Sequence, residues 1–369
     1  MTHRILKASA LIMSILLFAG CASGSSDADS KIYIDEAKVE GIMIEEETLA
    51  LSESPAAIPK TVPAANTNTA TAPATAPAAN TNTVTAPTTT PAVPPAAAET
   101  PAKSPLSPTA SGTKVKKGPN VTIDYSNSQD GYVMVQYTKQ ETKKFKVQVK
   151  GPTTTYTYNL TPLKWEVFPL SDGNGNYQVS VFRNVTGTKY TLVTSQKFAV
   201  QLSDEFAPFI RSNQYVDYDE AVNTIAKAAE IAGGITDPLK KVEAIYNYVV
   251  TNFTYDKQKA QTAQPGYLPV LDTVLEAKKG ICFDYASLMT GMLRSQGVPC
   301  KLIVGYAGTA YHAWINVWTE ETGWIDGIIY FDSISWHRMD PTFASSGKAS
   351  ESVMKYIGDG KNYTTKYIY

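Results

Sequence analysis

The stretch "KKGICFDYASLMTGMLRSQGVPC", Lys278 to Cys300, sets Cys282 two residues after Gly280 and ahead of an apolar run. A cysteine used as a nucleophile needs help to ionise, a base to move protons, a group to orient that base, and donors for an oxyanion. Cys282 would open a helix, whose dipole and free N–H groups favour negative charge. Gly280 would let the chain turn sharply just before it. Of three histidines, His3 lies in an N-terminal targeting segment, which leaves His312 and His337. His312 falls within a strand, "YHAWINVW", with Trp314 and Trp318 on its side and Ile315 and Val317 on the other. His337 reads as a strand-end residue without a catalytic role. Two carboxylates could orient the base, Asp332 in "YFDSISW" and Asp340 in "MDPTF", and the residues alone do not separate them. Cysteine is often buried, so Cys282 by itself would read as core. Its combination with a histidine and an aspartate points instead to thiol acyl transfer.

Helices and strands in a set order must position these groups. "YDEAVNTIAKAAEIAGG" carries Val222, Ile225 and Ala229 at helical spacing and stops at Gly233-Gly234. A second helix opens with Asp237 as N-cap and Pro238 in the first turn, and runs through Val242, Ile245, Val249 and Phe253. The third begins at Cys282. Its apolar stripe, Tyr285, Ala286, Leu288, Met289, Met292 and Leu293, is too broad for a surface helix, so it should be central. Strands "CKLIVGYAG", "YHAWINVWTE", "GWIDGIIYFD", "KYIGDG" and "TTKYIY" follow, an α+β pattern. Trp314, Trp318, Trp324 and Trp336 read as packing. A helix over Phe283 to Gln296 separates its ends by roughly 20 Å. A disulfide needs α-carbons ~5.5 Å apart. Cys282 and Cys300 should therefore both be free.

"KKGICFDYASLMTGMLRSQGVPCKLIVGY", then "YHAWINVW", "GW" and "MDPTF", resembles the transglutaminase-like superfamily, whose core is a papain-like cysteine hydrolase fold. The resemblance covers roughly residues 237–343. It implies Cys282 as nucleophile, His312 as base and Asp340 of the "DPT" element as the orienting carboxylate. Cys300 stands where the family usually has a small residue, which implies a buried structural role. The family's oxyanion side chain is an upstream aromatic or amide, and Tyr255 in "FTYD" and Tyr267 in "PGYLP" both fit. No calcium-site signature like that of the animal enzymes and no metal-ligand cluster is present in the sequence, so no cofactor is expected.

Upstream, residues 119–202 switch to a period of two. Seven short alternating segments, from "VTIDYS" to "KYTLVTSQKFAVQL", predict an all-β antiparallel sandwich. "SDGNGN", Ser171 to Asn176, begins like a calcium loop but lacks its glycine and late acidic ligand, so a hairpin turn is expected. Residues 22–118, rich in Ala, Pro, Thr and Asn with an imperfect repeat at Pro63 and Pro77, cannot bury enough apolar surface to fold and should form a disordered tether; the patch "KIYIDEAKVEGIMI" is the exception. Residues 1–21 have Arg4 and Lys7, a short apolar run and "LFAGC". This resembles a bacterial lipoprotein signal, with Cys21 lipidated. The remaining residues, 203–369, form the transglutaminase-like domain.

With 33 basic and 34 acidic residues the chain has no electrostatic footprint for nucleic acid. The expectation is an exported enzyme, lipid-anchored at the outer face of a bacterial membrane. It would act on amide bonds of protein or peptide substrates, cell-wall peptides among them, as protease, deamidase or cross-linking enzyme. The alternative is a catalytically silent surface protein that uses both folded parts for binding or adhesion.

Overall fold

The computed structural model describes residues 33–35, 106–308, 310–325, 328–331, 336–339 and 363–369. The expected signal segment with Cys21, most of the expected tether, and the carboxylates Asp332 and Asp340 lie outside them.

Nine strands form the N-terminal part: β1 (Tyr33–Asp35), β2 (Val115–Gly118), β3 (Val121–Asp124), β4 (Tyr132–Tyr137), β5 (Phe145–Lys150), β6 (Thr155–Asn159), β7 (Trp165–Pro169), β8 (Gly175–Thr186) and β9 (Lys189–Val200). They make two antiparallel sheets, β1-β9-β8-β5-β6 and β2-β3-β4-β7. All seven alternating segments are strands, and alternate residues such as Val147, Val149, Val179 and Val181 fill the core. Two short strands extend the expected boundary. β2 lies just before residue 119, and β1 pairs Tyr33 with Thr191 on the edge of β9.

Ser171–Asn176 is not a hairpin. β7 pairs with β4 whereas β8 pairs with β5 and β9, so this turn carries the chain from one sheet to the other. The Asp172 carboxylate accepts from the amides of Thr153 (3.0 Å) and Thr154 (2.7 Å) and from the Tyr156 hydroxyl (3.1 Å), which anchors the crossing.

The C-terminal part contains α1 (Val222–Ala232), α2 (Pro238–Asn252), β10 (Thr254–Tyr255), α3 (Lys257–Thr262), α4 (Leu271–Ala277), β11 (Lys279–Gly280), α5 (Cys282–Ser295), β12 (Cys300–Ala307), β13 (Ala310–Thr319), β14 (Gly323–Ile325), β15 (Ile328–Phe331), β16 (Trp336–Met339) and β17 (Tyr363–Ile368). β14-β13-β12-β17 form one antiparallel sheet, β15 pairs with β16, and β10 runs parallel to β11. The opening of α2 follows its sequence: the Asp237 carboxylate accepts from the amides of Leu239 and Lys240, and Pro238 occupies the first turn. α1 differs from expectation. It buries Thr224, Ala228 and Ala232, while Val222 is exposed. The reason is a tertiary cap: Asp272 of α4 accepts from the amides of Asn223 (3.1 Å) and Thr224 (2.8 Å) and from the Thr224 hydroxyl, turning that side inwards.

α5 is the axis of this part. Every residue from Phe283 to Arg294 is buried. Helices α1, α2 and α4 pack on it, as do β12 and β13. The helix ends at Gly297 (φ 76°), where the amide of Val298 donates to the Leu293 carbonyl. The buried core continues from the sandwich into this layer through an aromatic cluster. The rings of Tyr158 and Phe168 lie 4.9 Å apart, Tyr158 and Tyr215 5.5 Å, Tyr215 and Tyr369 4.4 Å, and Tyr215 and Phe283 5.4 Å. The residue after Cys282 is thus packed against a ring that also touches the sandwich.

Arg294, fully buried, closes the other end of α5. Its guanidinium donates twice to the Cys300 carbonyl (2.9 and 2.7 Å), once to Arg211 O (2.7 Å) and once to Tyr369 O (2.8 Å). Burial lowers its pKa to about 10, so it stays charged at neutral pH. Arg294→Met should remove the side-chain donors of the Cys300, Arg211 and Tyr369 carbonyls, of which Tyr369 keeps the Leu302 amide, and cost roughly 3 kcal/mol. Urea denaturation of the two proteins should show this as a lower midpoint at unchanged slope.

Candidate active site

Cys282 is the first residue of α5 and is half-buried. At that position its amide has no carbonyl partner within the helix. Two elements hold the approach to it. α4 ends at Lys278 in the left-handed conformation (φ 47°), which turns the chain into β11. β11 then pairs with β10, so that Tyr255 stands opposite Gly280. Gly280 is required here: a β-carbon on it would come within 2.6 Å of the Asp284 β-carbon.

Tyr255 is therefore set beside Cys282. Burial raises the pKa of its hydroxyl, and the adjacent Cys282 sulphur raises it further. It remains a protonated donor at neutral pH. Tyr267, the other aromatic residue considered upstream, is engaged elsewhere. Its hydroxyl donates to Asp284 Oδ1 and accepts from Lys259 Nζ. Asp284, two residues after Cys282, was not singled out in the sequence. It is buried completely, with Oδ2 accepting from the Ile281 amide (2.8 Å) and pairing with Lys259 Nζ (2.7 Å). The available signal was an acid in the first turn of a helix with a broad apolar stripe.

His312 lies near the start of β13, opposite Gly305 of β12, and is buried. α5 and β12 are joined by a tight turn and run in opposite senses, so Cys282 and the Gly305–His312 pair occupy the same end of the layer. The faces differ. Ala313, Ile315 and Val317 belong to the core shared with α5. By strand alternation His312 and Trp314 stand on the other face. There the His312 ring lies 6.2 Å from Trp314 and 6.3 Å from Tyr363. Gly305 permits this crowding, since a β-carbon there would meet the Thr364 carbonyl at 2.0 Å and the Trp314 ring at 2.9 Å. No hydrogen bond joins Cys282 to His312 among the described residues. Asp340 is outside them, so the structure brings Cys282 together with Tyr255 and positions His312 at the same end of the sheet.

Cys300 is buried and free, its thiol donating to Thr290 Oγ1 (3.5 Å). Burial pushes its pKa up to about 11. This matches the structural role expected for it. Among the described residues no group of three or more His, Cys, Asp or Glu is placed to hold a metal ion. Iodoacetamide at pH 8 should leave Cys300 unlabelled in the native protein and label it after unfolding in urea, as read by peptide mass spectrometry.

Residues 225–327 match the model of the transglutaminase-like superfamily. The uncharacterized protein YebA of Bacillus subtilis (strain 168) is 26% identical over 174 residues, 41% of this chain and 22% of its own length. A protein-glutamine gamma-glutamyltransferase of Pseudomonas aeruginosa is 29% identical over 87 residues, 20% of this chain and 13% of its own length. The chain therefore spans well under two thirds of either relative. Among solved structures, the periplasmic domain of TgpA from Pseudomonas aeruginosa, bound to ethylmercury, is 15% identical with a TM-score of 0.29, covering 64% of this chain and 100% of that one. Residues 225–327 thus form a domain of the transglutaminase-like superfamily.

Proposed function

We infer that the chain is an exported, membrane-anchored thiol enzyme that acts on amide bonds of proteins or peptides. The observation that carries this reading is Cys282 at the N-terminus of a buried helix, with Tyr255 held on the paired strand opposite Gly280, two residues before it. Cys282 gives its thiol proton to His312, and the thiolate attacks the amide carbonyl. The carbonyl oxygen takes up negative charge and is met by the unpartnered Cys282 amide and the Tyr255 hydroxyl. His312 protonates the departing amine or ammonia, with Asp340 orienting its ring, and the thioester is resolved by water or by a second amine. Water makes the reaction proteolysis or deamidation, and an amine makes it cross-linking. The lipid anchor at Cys21 and the tether would keep the folded part near the membrane, within reach of wall peptides or surface proteins.

A second reading is a catalytically silent binding or adhesion protein that uses both folded parts. A glutamine-bearing peptide offered with and without a fluorescent amine separates the two. Turnover should appear as ammonia release or amine incorporation. It should vanish in Cys282→Ala, fall by about 10²–10⁴ in His312→Ala, and fall by about 10²-fold in Tyr255→Phe. No turnover with any of a panel of glutamine and wall peptides, together with Cys282 labelling no faster than a free thiol and indifferent to His312→Ala, would leave the binding reading. The anchor is tested separately: Cys21→Ala should move the protein from the membrane to the soluble fraction of expressing bacteria.

A further inference from the structure

The first turn of α5 holds a buried charge that the proposed chemistry does not use. Asp284 is completely buried next to the residue proposed as nucleophile, and its charge also acts on Tyr255. A carboxylate there has two opposite consequences. It satisfies the Ile281 amide and so fixes the turn on which Cys282 rides. It also opposes the negative charge that builds on the Cys282 sulphur and on an oxyanion held nearby. Lys259 removes the second effect. Its ammonium pairs with Asp284 Oδ2 at 2.7 Å and lies 4.2 Å from the centre of the Tyr267 ring.

Lys259 is brought there by the element that carries Tyr255. Asp256, the next residue, caps α3 by accepting from the Lys259 amide (2.9 Å) and is itself held by Lys279 of β11 (3.1 Å). Tyr267 joins the following loop to the same carboxylate. One buried acid therefore connects the turn bearing Cys282, the helix after Tyr255 and the loop that contains Tyr267.

We propose that Lys259, Tyr267 and Asp284 form a positioning unit for Cys282, in which Asp284 sets the geometry of the turn and Lys259 cancels its charge. The unit rests on the reading of Cys282 as a nucleophile. Its mark is that neutralising Asp284 restores the Cys282 labelling rate lost with Lys259 while the circular dichroism of the single and double variants stays native.

The test is the second-order rate of iodoacetamide labelling at Cys282 in the full chain at pH 7, with Cys300→Ser as background. Lys259→Met should slow labelling by about tenfold, because an unpaired buried carboxylate then faces the thiol. The double variant Lys259→Met/Asp284→Asn should return to within about threefold of the parent, and Lys259→Arg should stay near it. Parent-like labelling in Lys259→Met, or a double variant as slow as Lys259→Met, overturns the proposal. Should Lys259→Met lose its native circular dichroism, Tyr267→Phe decides. It retains the ring, and labelling slowed by about threefold is expected with the fold intact, whereas an unchanged rate overturns the unit. Turnover of the glutamine peptide by the parent is measured in parallel. Absent turnover with the expected labelling pattern removes the enzyme reading and keeps the unit, whereas turnover with a flat pattern removes the unit alone.

Discussion

The structure depends on burying α5 on every side. A helix whose residues from Phe283 to Arg294 are all buried gains hydrophobic stabilisation along its whole length, and its polar atoms must find partners inside the protein. The chain provides an acid near the N-terminal end and a guanidinium near the C-terminal end, each of the sign the helix dipole favours. Asp284 is met by the Ile281 amide, Tyr267 and Lys259, and Arg294 by the carbonyls of Cys300, Arg211 and Tyr369. These contacts fix the helix along its own axis as well as around it. Apolar packing alone would allow sliding by part of a turn, which would displace Cys282 from Tyr255.

The same constraint explains why the sandwich and the transglutaminase-like domain share a core. Phe283, one residue from Cys282, packs edge-on to Tyr215, and Tyr215 packs against Tyr158 of the sandwich and Tyr369 after β17. Gln214, the residue before Tyr215, donates to the buried Glu166 carboxylate and to the Asn159 carbonyl. Burial raises the pKa of Glu166, while the amide and side chain of Thr161 oppose that shift. The sandwich is thus a wall for the first turn of α5.

Much of this was legible in the sequence. The seven alternating segments of the sandwich, the Asp237-Pro238 start of α2, the broad apolar stripe of α5 and the absence of a Cys282–Cys300 disulfide each follow from local chemistry. Alternation sets a two-sided strand, an N-cap needs a short acceptor before a helix, a stripe too broad for one face makes a helix central, and a straight helix keeps its two ends apart. The misreadings were of another kind. Val222 looked like a core residue until Asp272, some fifty residues away, capped α1 and turned Thr224 inwards. "SDGNGN" looked like a hairpin because a turn sequence encodes reversal and does not say which sheet receives the next strand.

The sequence by itself determined which groups could do chemistry: a thiol behind Gly280, a histidine within an aromatic strand, and aspartates downstream, in the order of the transglutaminase-like pattern. It also determined the helix that presents Cys282, because the apolar stripe and the Gly297 stop are local signals. Only the tertiary structure shows how the surroundings of Tyr255 and Tyr267 differ. A parallel pairing of two short strands brings Tyr255 opposite Gly280, while Tyr267 is drawn to Asp284 and Lys259. Only the tertiary structure gave Asp284 a partner as well. The physical reason is that a charge is costly to bury until another part of the chain supplies its counterion, and which part does so depends on how the elements pack.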